Sequence, residues 1–173
     1  MKSSSLKNLV LGLLLGMSVF VASSCSDDDN DGSGGNPIVG SWLSAGTNVA
    51  PLLDAIFTGS GGVDSIYATF TATDYTVRQV NGNSSVVNYS GTYTAVKDDA
   101  TDIYTLTIAQ TLPSATSNAG IFQVFDANPD SMKYEVVLVN GTNTPPTPAT
   151  GFGSTNGGAF GTTNVQRYIR LSN

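Results

Sequence analysis

Few side chains in this sequence are able to do chemistry, and the missing ones narrow the possibilities first. Histidine is absent, and cysteine occurs once, at Cys25. Without an imidazole there is no neutral-pH base, no Ser-His-Asp arrangement and no histidine zinc ligand, and a lone thiol closes no disulfide. Paired carboxylates could still hydrolyse glycosides, working from two sides of a cleft. The acids gather in turns instead: Asp98, Asp99 and Asp102 in one, Asp126 and Asp130 in another. Their spacing matches no calcium loop, and no glycine-rich loop opens a helix to cradle phosphate. The reading is no enzyme, no metal and no cofactor.

Aromatic rings and arginines remain as binding groups. Tyr67, Phe70, Tyr89, Tyr93, Phe122 and Tyr134 fall in alternating stretches, where rings supply apolar area and hydroxyls supply hydrogen bonds. Arg78 stands beside Tyr75 and Val77; turned inward it would neutralise an anionic ligand head, and turned outward it would meet solvent. Glu135 is the sole glutamate. If Met132, Tyr134, Val136 and Leu138 face an interior, alternation sends Glu135 to solvent.

These groups need a scaffold, and the sequence reads as β throughout. Alternation and turn residues give strands at 38–43, 65–71, 75–80, 86–96, 103–111, 120–125, 132–139 and 165–171. Between the first two, Leu52, Leu53, Ile56 and Phe57 share a helical face that Gly59, Gly61 and Gly62 end. A short helix over a barrel mouth fits that spacing. A loop of about twenty residues follows Asn140, a length that is usually functional or mobile. Sequential hairpins without crossover helices favour an all-β, eight-stranded antiparallel up-and-down barrel, with a β-sandwich as the alternative. A barrel of that size encloses room for about one small ligand.

The N-terminus carries an address. Lys2 and Lys7 precede an apolar stretch, residues 9–21, and Ala22-Ser23-Ser24 leads into Cys25. This resembles a lipoprotein signal peptide, its apolar core being shorter than the ~20 residues that span a bilayer. The resemblance implies a signal peptide over 1–24, a lipidated Cys25 heading a flexible acidic tether over 25–36, and one domain over 37–173. Ser26-Asp27-Asp28-Asp29 is similar to the surface-export signal of some Gram-negative lipoproteins, which implies a lipid-anchored outer-membrane protein facing outward.

The chain's net charge is −6, and loss of Lys2 and Lys7 with the signal peptide brings it to −8. Such an acidic surface disfavours nucleic acid and anionic lipid heads. Membrane contact is therefore expected through the acyl anchor only, on a monomer.

Gly40-Ser41-Trp42 at the head of the first strand resembles the Gly-x-Trp signature of lipocalins and other calycins. The family's partner is an arginine on the last strand that packs across the indole and closes the barrel floor. Tyr168-Ile169-Arg170 offers Arg170, and Arg167 is the other candidate. Thr73-Asp74-Tyr75 spells a further family tripeptide, but between the wrong strands. The resemblance implies a lipocalin-like lipoprotein binding a small hydrophobic or amphipathic ligand inside its barrel. The alternative is a cell-surface interaction or structural lipoprotein with a packed core and no ligand.

Overall fold

The computed structural model describes residues 35–139 and 141–172; Cys25, the signal peptide and the tether as far as residue 34 lie outside the described residues. The strands are β1 (Gly40–Ala45), β2 (Val63–Phe70), β3 (Asp74–Asn81), β4 (Val86–Lys97), β5 (Tyr104–Leu112), β6 (Thr116–Phe125), β7 (Ser131–Leu138) and β8 (Gln166–Arg170). Helix α1 (Pro51–Ile56) joins β1 to β2, and a single irregular turn, α2 (Thr155–Gly158), lies in the β7–β8 connection. Each strand pairs antiparallel with the next, and β8 returns to β1 through Trp42↔Arg170 and Leu43↔Ile169. The barrel is closed, up-and-down and eight-stranded. A single sheet joined to itself leaves no two faces to stack, so the sandwich alternative falls.

Alternation in the sequence becomes inside and outside with little slippage. Ile66, Ala68 and Phe70 of β2, Tyr75 and Gln79 of β3, Leu106 and Ile108 of β5, and Met132 of β7 are buried, while the intervening threonines are exposed. The chain enters at one end of the barrel, here called the base. That end also holds the turns after β2, β4 and β6 and the residues after β8. The opposite end, the mouth, holds α1 and the long β7–β8 connection.

The helix forms where its residues predict. Pro51 sits at the first helical position, where its missing N–H costs nothing. Asp54 Oδ1 accepts from Val63 N at 2.8 Å and ties the helix to the start of β2. At its other end Ala50 N donates to Gln166 Oε1 at 2.8 Å, while Gln166 Nε2 donates to Ser44 Oγ. One buried glutamine of β8 thus pins the mouth helix to the wall.

Parity corrects some expectations. Tyr67 is outward and 42% exposed, and Arg78, its direct cross-strand partner, is outward and exposed as well. Neither reaches the interior, because each follows an inward residue by one position on a period-two strand. Glu135 also points away from the interior but does not meet solvent: it is 0% exposed. The β7–β8 connection folds over it, with Gly153 N donating to Oε2 at 2.6 Å and Thr155 Oγ1 and Thr155 N donating to Oε1 at 2.6 and 3.3 Å. Local alternation gave the right side of the sheet but could not foresee a distant loop covering it.

Glu135 is needed where it stands. Strand β8 pairs with β7 only along Ser131–Tyr134, so the upper half of β7 has no neighbour on that side. The loop fills the gap, and donors aimed at a buried carboxylate hold it there more strongly than neutral partners would.

Candidate functional site

The base is a sealed plug. Arg170 lays its guanidinium over the indole of Trp42, with Cζ 4.2 Å from the ring centroid, and each of its three nitrogens donates a hydrogen bond. Nε donates to Asp130 Oδ2 at 2.8 Å, Nη1 to Val39 O at 2.7 Å and Nη2 to Pro37 O at 2.8 Å. Trp42 Nε1 donates to Ile38 O at 2.7 Å. The segment before β1 is thereby strapped across the floor. Gly40 is required because its φ is +129° and a Cβ there would stand 2.6 Å from Arg170 Nη1. Of the expected closing residues Gly40, Trp42 and Arg170 meet, and Arg167 is exposed on the outer face opposite Lys133. Asp130, read from sequence as one of a solvated turn cluster, is instead the counter-ion of the plug.

Above the plug the interior is solid. Phe122 and Leu106 are 0% exposed, Phe122 stacks on Tyr104 with centroids 4.9 Å apart, and Phe70 meets Tyr93 edge-on at 5.3 Å. Tyr93 also has its hydroxyl occupied, donating to Thr71 O at 2.6 Å and accepting from Asn36 Nδ2 at 3.3 Å. Phe70, Tyr93 and Phe122, read from sequence as ligand contacts, are core at this level.

Toward the mouth the packing stops and a cavity of about 240 Å³ opens under Leu53 of α1. Tyr75, Tyr89, Tyr134 and Tyr168 line it together with Gln79 and Asn118, and no charged side chain reaches it. Tyr89 and Tyr134 were legible from alternation. Tyr75 and Tyr168 carry the same inward parity and the same signal, and sequence reasoning passed over them as neighbours of more conspicuous motifs.

The chemistry of this lining is specific. Among the described residues no protein group hydrogen-bonds the hydroxyls of these four tyrosines, and none is sealed off from accessible space. Burial pushes the Tyr134 hydroxyl well above its ordinary 10.0, and the charge that Tyr168 or Tyr75 would carry nearby pushes it further. Tyr168 is raised by burial too, and its ring lies edge-on to Tyr134 at 5.9 Å. Burial raises Tyr75 and Tyr89 in the same direction. At neutral pH the pocket is uncharged and presents O–H donors and acceptors beside apolar Ile66, Ile108 and Val136.

Such a wall favours a neutral guest. An ionised carboxylate would lose its water without gaining a cation, a cost of several kcal/mol. Among the described residues no group of His, Cys, Asp and Glu could hold a metal. No family model, no curated protein and no solved structure matches this chain.

Proposed function

We propose that this protein is a lipid-anchored, lipocalin-like lipoprotein of the outer membrane whose barrel binds one small, uncharged, amphipathic molecule. The observation that carries the reading is the set of four unpartnered tyrosine hydroxyls around the mouth cavity. These hydroxyls have no partner within the protein and stay accessible from the cavity, so a guest there can bond them. Size supports a modest one, since about 240 Å³ falls below the roughly 300–1,000 Å³ that drug-sized ligands occupy. A phenol, an indole or a short neutral amphiphile fits that description better than a fatty acid. The Gly40-Ser41-Trp42 and Arg170 plug supports the lipocalin-like reading, and Cys25 after its apolar run supports the anchor.

The test is a thermal-shift panel on the full chain with neutral phenols, indoles and short alcohols set against fatty acids of equal length. Saturable stabilisation is expected from the neutral set, growing with the logarithm of concentration as linkage requires. Tyr134→Phe should weaken it about tenfold, the worth of one hydrogen bond of ~1 kcal/mol or a little more. If no neutral compound binds, or if a Val136→Trp variant that fills the hollow binds as well as the parent, the carrier reading fails. The packed interaction lipoprotein then takes its place. Anchoring is checked separately by fatty-acyl labelling, which Cys25→Ala should abolish.

A further inference from the structure

The outer wall of β2, β3 and β4 carries a second candidate binding surface, which shares only Val77 and Tyr89 with the lining of the cavity. A groove of about 420 Å³ runs across it. Tyr67, Arg78 and Asn88 stand in one cross-strand row on its floor, and Thr69, Thr76 and Ser90 stand in the next. Directly opposed residues place their Cβ atoms about 4.5–5.5 Å apart, so ring, guanidinium and amide form a continuous strip.

Nothing in the protein uses the strip. The side chains of Arg78, Asn88 and Thr76 and the Tyr67 hydroxyl have no hydrogen bond or ion pair among the described residues. Three other cations are engaged, Arg170 with Asp130, Lys97 with Asp102 and Lys133 over the rings of Phe125 and Phe152, while Arg167 is exposed like Arg78 but does not line the groove. On a chain of net charge −6, Arg78 sits in a groove that no carboxylate lines.

We propose that this groove binds an acidic carbohydrate, a uronate-bearing oligosaccharide. The planar fork of Arg78 suits a carboxylate held by paired hydrogen bonds. The 42%-exposed ring of Tyr67 offers a flat apolar surface to the C–H face of a sugar, while Asn88, Thr76 and Ser90 supply donors and acceptors for ring hydroxyls. Other anionic partners fit less well. Nucleic acid is held by many cations along its backbone and Arg78 stands alone in the groove, while β2, β3 and β4 are each paired on both sides, leaving no edge here for an extended peptide.

Calorimetric titration of the full chain in detergent at low salt tests this, with linear trigalacturonate as probe and galactotriose and triglutamate as comparators. Trigalacturonate should bind saturably and at least tenfold more tightly than either comparator. Arg78→Ala should weaken it at least tenfold, Arg78→Lys less, and Tyr67→Ala at least threefold, in variants that each keep a cooperative melting transition. Tyr134→Phe, which alters the cavity, should leave it unchanged. Absence of saturable binding, equal affinity for galactotriose, a preference for triglutamate, or indifference to Arg78→Ala would each overturn the proposal.

Discussion

The base and the mouth of the barrel are built from the same strands and the same residue types, yet the interior is packed above the plug and hollow toward the mouth. At the base the key polar groups are engaged: the guanidinium of Arg170 has four partners counting the indole, and Tyr93 both gives and receives a hydrogen bond. At the mouth, tyrosines of equal size keep their hydroxyls unpartnered around an open space. The lesson is that polar satisfaction separates packed tyrosines from cavity-lining ones here, where burial or residue type alone does not. Stability should therefore be concentrated at one end and ligand capacity at the other.

Removing the indole is the harshest way to test that division. Trp42 is fully buried and carries the cation of the plug, so Trp42→Ala leaves a large void and strands a guanidinium whose π partner is gone. The cost of such truncations is about 3–5 kcal/mol, a large share of a typical domain's total. Urea denaturation should show the midpoint falling by that equivalent. A loss below about 1 kcal/mol would mean that the floor is not where the stability resides.

Much of this architecture was legible because it is local. Period-two alternation marks which residues share a face of each strand, though not which face is inward, and the spacing of Leu52, Leu53, Ile56 and Phe57 marks α1. Gly40, Trp42 and Arg170 were found through a resemblance, and the geometry explains why those residue types are needed together. What stayed hidden is long-range. Glu135 and Thr155 are twenty residues apart, and nothing in either neighbourhood announces the other. The same holds for Asp130 and Arg170, forty residues apart. Tyr67 and Arg78 have the residue types of ligand contacts, and alternation leaves open which face they share; the pairing of β2 with β3 puts both outside.

Alkaline pH tests the two ends unequally. Tyr134 and Tyr168 have hydroxyls raised above the ordinary 10.0 by burial, so the folded protein holds those protons longer than the unfolded chain does. Stability from this source is fully present below pH 10 and is lost as pH rises beyond it, because the unfolded state then binds fewer protons. Each such tyrosine steepens the decline by up to about 1.4 kcal/mol per pH unit. Tyr134→Phe and Tyr168→Phe should each flatten the alkaline limb of a stability–pH curve between about pH 10 and 12. An unaltered limb in both variants would show that those hydroxyls are hydrated like surface ones.

The same single-atom change made at each end gives the smallest and sharpest contrast. In Tyr93→Phe the Thr71 carbonyl loses its donor and Asn36 Nδ2 loses its acceptor, which should cost about 1 kcal/mol. In Tyr134→Phe no protein group is deprived of anything, since that hydroxyl has no partner in the chain. Its expected effect at neutral pH is therefore within about 0.5 kcal/mol of zero. Chemical denaturation of both variants beside the parent resolves a difference of this size when the slopes agree. A Tyr134→Phe loss as large as that of Tyr93→Phe would mean that the mouth tyrosines are structural after all, and the hollow would lose its claim to be a binding site.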